Sequence, residues 1–193
     1  MTISDEKEDL RIRRTIFLLK RSVESLLQEN SLESITVSDI CDKAMVHRAT
    51  FYKHFSDKYD LCNAILMDLK QEIIEDSKAE KAFESTEEFF HYISKKALDY
   101  LSANKVMLSG IVRHNKDSLL YFIGFHAIES AIYALLKENQ EKISNHLPLD
   151  ISTQFLTAGL LSVMLNWVEH DTKHSYGDML EIISNIIKKN LYY

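Results

Sequence analysis

Glycine and proline are scarce in this chain, with four glycines and one proline among 193 residues. These residues punctuate the many turns of β-proteins, so their scarcity argues for long helices with short connections. Cys41 and Cys62 lack CxxC spacing and sit among apolar neighbours, as buried thiols of a reducing cytoplasm would. The start, "MTISDEKEDLRIRR", has no apolar core, so no secretory signal is expected. The most apolar run, residues 155 to 168, is too short to span a bilayer and carries Thr157 and Asn166. It reads as a buried helix of a soluble cytoplasmic protein, with no membrane partner. The chain has no HExxH, no G-x-S-x-G and no glycine loop to cradle a phosphate, so neither an enzyme nor a cofactor is expected. His170 and His174 lie four apart with Asp171 between, but at an expected helix end, where histidines serve as solvated terminal residues. His91, His114, His126 and His146 show no ligand spacing, and no metal is expected.

What is present is unevenly distributed. Apolar residues make up 46% and charged residues 27%, ordinary values for a folded chain. The net charge is −6, yet residues 10 to 58 hold nine Lys or Arg against six Asp or Glu. The remainder holds fourteen against twenty-three. A mildly basic N-terminal unit on an acidic body suits a small phosphate-binding head on a larger, non-binding part.

Apolar spacing predicts an all-α fold. Ile12, Ile16, Leu19, Val23 and Leu26 form one stripe on a helix over about 7–29. Thr36 and Asp39 form a T-x-x-D capping box ahead of Val37, Ile40, Cys41 and Ala44, a helix of barely two turns. After a break near Met45 and Val46 comes a second short helix over 48–54. A longer one follows, with Asp57 and Asp60 at N-cap and N3 and Leu61, Ile65, Leu69 and Ile73 on one face. Further helices are expected near 85–103, 105–114, 116–145, 150–171 and 176–191, about nine in all. The last two differ from the rest. Residues 151–168 are apolar on more than one face, with small residues at Ala158, Gly159 and Ser162, and 179–191 are rich in isoleucine. A helix apolar nearly all round needs cover on nearly all sides, and a second copy of the chain is a natural source. Phe155, Ala158, Gly159, Ser162, Ile183, Ile186 and Ile187 are therefore the expected homodimer interface.

Two short helices joined by a tight turn match a helix-turn-helix, whose second helix enters the major groove of double-stranded DNA. Phe51 and Phe55, four apart, would face inward beside Val46, leaving Arg48, Ala49, Thr50, Tyr52, Lys53 and His54 outside. The first turn reaches base edges. Arg48 can fork onto guanine, Ala49 admits close approach or a thymine methyl, and Thr50 completes the reading set. Tyr52, His54 and Lys58 suit phosphates, and the helix N-termini near Thr36 and Asp57 offer further N–H groups.

Residues 35 to 61, "ITVSDICDKAMVHRATFYKHFSDKYDL", resemble the DNA-binding domain of TetR-family transcriptional regulators. Thr36, Val37, Ile40, Ala44, Val46, Thr50, Phe51, Tyr52, His54, Phe55, Lys58 and Leu61 all fall on the family's pattern. Three positions depart from it. Met45 stands where the family has a turn glycine, Cys41 replaces a small alanine, and His47 replaces the serine that caps the recognition helix, placing an imidazole near a phosphate.

The resemblance implies residues 1–60 as a three-helix DNA-binding domain and 61–193 as a helical bundle for regulation and dimerisation. It implies a homodimeric repressor, released from a palindromic operator by a small effector. The alternative is a co-regulator or activator whose body binds a partner protein. An apolar or aromatic effector pocket is expected among Phe89, Tyr100, Met107, Tyr121, Phe122, Phe125 and Trp167.

Overall fold

In a computed structural model the described residues are 3–75, 83–143, 147–170 and 173–192. Among them are nine α-helices and no strand. They are α1 Ile3–Leu27, α2 Val37–Ala44, α3 Arg48–Phe51, α4 Lys58–Lys70, α5 Thr86–Ala103, α6 Lys105–Asn115, α7 Leu119–Glu138, α8 Leu149–Glu169 and α9 Tyr176–Tyr192. A π-helical turn, Gln71–Glu75, continues α4, and a 3-10 turn, Gln140–Lys142, follows α7. Asp171 and His146 lie outside the described residues. His170 ends α8 in an extended conformation, so it and His174 do not share a helical face.

The helix starts follow local chemistry. The Thr36 hydroxyl accepts the Asp39 N–H at 3.1 Å while the Asp39 carboxylate accepts the Thr36 N–H at 2.8 Å, completing the expected capping box. The Asp57 carboxylate accepts the N–H groups of Tyr59 and Asp60, both at 2.8 Å, and so starts α4. Ser85 caps α5, and Ser175 pairs reciprocally with Asp178 at the head of α9. Each such cap is worth about 1 kcal/mol.

The chain divides into two compact units, Met1–Ile65 with Gly110–Ile123, and Leu66–Ser109 with Gly124–Tyr193. The division expected after residue 60 left the second segment out of the head. It belongs there because the last residues of α6 lie against the end of α1 and the residue that follows it. A Cβ on Gly110 would come within 2.9 Å of the Gln28 carbonyl oxygen, so glycine permits the approach. The first unit's core gathers Leu19, Val23, Ile40, Phe51 and Leu61, all fully buried. The second unit's core is larger and includes Leu98, Leu136, Trp167, Val168 and Ile183.

Among the described residues two helices, Leu119–Glu138 and Leu149–Glu169, are long and apolar enough to cross a bilayer by length and composition. The second is longer than the 155–168 run suggested, because Leu149 to Gln154 extend it. Both supply leucines to the core of the second unit.

Candidate functional site

Between α2 and α3 the chain turns at Met45, which sits at φ 54 and ψ 43, in the left-handed region. The Met45 N–H donates to the Asp42 carbonyl at 3.2 Å and the Val46 N–H to the Cys41 carbonyl at 3.0 Å. That pair of bonds is a Schellman ending, which needs one left-handed residue. A methionine there costs about 1 kcal/mol relative to glycine. Its side chain is 91% exposed, so packing returns nothing within the chain.

His47 opens α3 without a side-chain cap bond. Only Arg48–Phe51 is α-helix, shorter than the expected 48–54, but successive backbone bonds carry the turn on to Phe55. Phe51 is fully buried and Phe55 nearly so, their rings 5.8 Å apart. These anchors leave His47, Arg48, Ala49, Tyr52 and Lys53 exposed, with Thr50 and His54 half-buried beside them. The outward set is thus a guanidinium, a methyl, a phenol, an ammonium and imidazoles on one short, firmly anchored turn. It can meet a groove edge with donors and phosphates with cations.

The loop between α1 and α2 is fixed by two side chains distant in sequence and one of its own. The Lys58 ammonium donates to the carbonyls of Leu32 at 2.7 Å, Glu33 at 3.1 Å and Ile35 at 2.7 Å. Asn115 is buried. Its amide oxygen accepts the Leu32 N–H at 2.8 Å, and its amide nitrogen donates to the carbonyls of Leu27, Asn30 and Ile111. The Glu33 carboxylate accepts the Leu119 N–H at 2.7 Å, capping α7 from the loop. That bond holds the Glu33 carboxyl below the usual carboxylate range, and the Thr36 hydroxyl does the same for Asp39. Depressed values mean that these caps are intact at neutral pH and lost as acid protonates them.

This geometry revises two site expectations. Lys58 was expected on a phosphate, but all three of its donors are used by carbonyls. An ammonium suits either acceptor, and here it is within 2.7–3.1 Å of the loop carbonyls. Thr36 uses its hydroxyl within the capping box, so it shapes the N-terminus of α2. Asn115, which falls between the expected helices 105–114 and 116–145, is the residue the sequence signalled least.

In the second unit a cavity of about 240 Å³ is lined almost wholly by aliphatic side chains of α4, the π-helical turn, α5, α7, α8 and α9. Of the seven residues expected there, Tyr100 alone lines it. Phe89 packs edge-on against Phe83 in the core. Trp167 is buried, donating its indole N–H to the His174 carbonyl at 3.1 Å, with Lys105 over its ring. Phe122 is 55% exposed, Tyr121 stacks edge-on with it, and Phe125 pairs with His126. Met107 is half-buried on α6, away from the lining. The aromatics fill and cover, and branched aliphatics shape the void. Leu69 and Ile73, visible as an apolar stripe in the sequence, were the better signal.

On α8 the residues Ile151, Phe155, Ala158, Gly159 and Ser162 make one exposed stripe, and Phe155 is 62% exposed. Nothing lies within 4 Å of a Cβ built on Gly159. Ile183 does not belong with them. It is buried and lines the cavity, as does Ile187, because that side of α9 turns into its own unit. Ile186 is half-buried.

Residues 23–65 match the bacterial regulatory proteins of the tetR family, and residues 80–189 match a transcriptional regulator C-terminal region of the same family. An HTH-type transcriptional regulator of Staphylococcus aureus (strain bovine RF122 / ET3-1) is 27% identical over 75% of this chain and 77% of its own. A TetR transcriptional regulator from Streptococcus agalactiae 2603V has the same fold, with a TM-score of 0.66 and 23% identity over 95% of this chain and 98% of that one. The regulator FadR from Bacillus subtilis, solved in complex with stearoyl-CoA, superposes with a TM-score of 0.64 at 17% identity, covering 93% and 99%.

Proposed function

Since the chain belongs to the TetR family of transcriptional regulators, we propose that it is a homodimeric repressor, released from a palindromic operator by a small-molecule effector. Arg48, Ala49 and Thr50 read base edges, while His47, Tyr52, Lys53 and His54 hold phosphates. The observation that carries the reading is the outward face of α3 on its buried Phe51 and Phe55 anchors.

The exposed stripe of α8 supports self-association, because a large apolar residue such as Phe155 at 62% exposure is covered when a second copy packs there. Two half-sites about 34–36 Å apart then require two recognition helices at matching separation. The cavity's almost wholly aliphatic lining favours a small effector over a partner protein. Helix α4 starts beside the recognition turn, and its continuation lines the cavity, so one element serves both ends. An effector that binds a spread dimer better than the DNA-competent one would shift operator affinity by about 5- to 150-fold.

Gel shift with the DNA upstream of its own gene tests the reading. Arg48→Ala should weaken specific binding more than random-DNA binding, by about 1–3 kcal/mol. Phe155→Glu should yield folded monomers that no longer bind tightly. Failure of the wild-type protein to retard that DNA, or a dimeric Phe155→Glu protein with normal binding, would count against the reading.

A further inference from the structure

The effector reading leaves open what the cavity holds, and its lining is chemically one-sided. Aliphatic side chains surround it, while its polar atoms come from Lys70, Ser94 and Tyr100. Ser94 already donates its hydroxyl to the Phe90 carbonyl at 2.8 Å. Among the described residues no Asp, Glu, His or Arg lines the cavity. Lys70 is half-buried and makes no hydrogen bond or ion pair among the described residues.

Lys70 is also the last residue of α4 before the backbone widens into the π-helical turn Gln71–Glu75. Such turns are rare and recur at functional sites. Here the turn brings Ile73 and Ile74, neighbours in sequence, to one cavity wall with Lys70 at its edge. Lys70 is a half-buried lining residue, and among the described residues no carboxylate in the lining answers its charge, so an anion in the cavity finds a cation there.

The volume narrows the class further. About 240 Å³ lies below the roughly 300–1,000 Å³ that drug-sized ligands occupy. Phe90 and Tyr100 are the lining's aromatic rings, so little is offered to a planar ring system. One ammonium matches one carboxylate. A nucleotide head with several phosphates would call for several cations.

We propose that the cavity binds a straight-chain aliphatic carboxylate of medium length, its chain among Leu69, Ile73, Ile132 and Leu160 and its head on Lys70. The inference rests on the effector reading and gives that effector a chemical class.

Calorimetry on the full-length protein tests it, with decanoate, decanol, decanoyl-CoA and naphthalene as probes. Decanoate should bind at least tenfold tighter than decanol, and shortening it to octanoate should weaken binding by roughly fourfold per methylene removed. In Lys70→Met the preference for decanoate over decanol should collapse to within twofold, and Lys70→Arg should keep it. Ala97→Leu, which fills part of the void, should reduce decanoate binding at least tenfold. Equal affinity for decanoate and decanol, tighter binding of decanoyl-CoA or naphthalene, or a Lys70→Met protein that keeps the preference would overturn the proposal. A parallel gel shift separates it from the effector reading. Decanoate that binds yet leaves the operator complex intact defeats release but not the ligand class. Release by a compound that is not an aliphatic anion does the reverse.

Discussion

Around the α1–α2 loop, cohesion is directional: an amide, an ammonium and a carboxylate bond to specific backbone atoms, and few other arrangements would satisfy them. In the second unit it is mostly unspecific. Leucines and isoleucines pack from five helices, leave a void of about 240 Å³, and turn one stripe of α8 outward. Hydrogen bonds fix angles, whereas aliphatic contacts fix volume and tolerate sliding. A surface that must meet base edges to within a hydrogen bond needs the first kind. On the proposed function, a chamber that admits a ligand and shifts needs the second.

Four substitutions break or sharpen this contrast. The largest effect is expected from Ile183→Glu, which puts an unpaired charge into the core of the second unit at a site 1% exposed. Several kcal/mol should be lost, with aggregation or a melting temperature more than about 10 °C lower by calorimetry. A stable, merely monomeric protein would return Ile183 to the interface. Next, Asn115→Leu keeps the bulk and removes the bonds, leaving the buried Leu32 N–H and the Leu27 carbonyl unanswered. About 3 kcal/mol is expected, a fall of roughly 6–12 °C for a chain this long. A near-neutral result would mean that packing, not polarity, fixes the loop.

Lys58→Met should cost about 1.5–3 kcal/mol of stability, as for a charged group that loses its hydrogen bonds. The salt dependence of DNA binding should keep its slope. A slope shallower by about one unit would put Lys58 on a phosphate after all. The smallest change is a gain. Met45→Gly relieves a left-handed methionine and should raise stability by about 1 kcal/mol, or roughly 2–4 °C. If operator affinity falls at the same time, the exposed methionine is touching DNA.

The sequence made local features readable and concealed distant ones. The Thr36–Asp39 box, the Asp57 cap and the inward Phe51–Phe55 pair depend on neighbours within four residues, and each stands where spacing put it. Met45, which stands where the family has a turn glycine, takes the left-handed conformation that a glycine favours. Asn115 was not readable, because its partner Leu32 is 83 residues away and an asparagine in a polar stretch looks like any loop residue. The carbonyl bonds of Lys58 were not readable, because one ammonium serves a phosphate and a carbonyl equally well. The aromatics misled about the cavity because large rings fill space, while the residues that enclose a gap are those too branched to close it. On α9, a face apolar all round gave no sign of which isoleucine points inward.

The Asn115 amide also constrains the order of events while the chain is being made. The first 65 residues contain the whole helix-turn-helix, yet the segment Gly110–Ile123 completes their unit. Synthesis runs at about 5–20 residues per second, so the loop waits several seconds for its amide. During that interval the Leu32 N–H and the carbonyls it accompanies are met by water, and the reading turn rides on an unfinished support. Such distant closure slows folding. It also means that a nascent or truncated chain ending before α6 carries the α3 turn without the amide that completes its support.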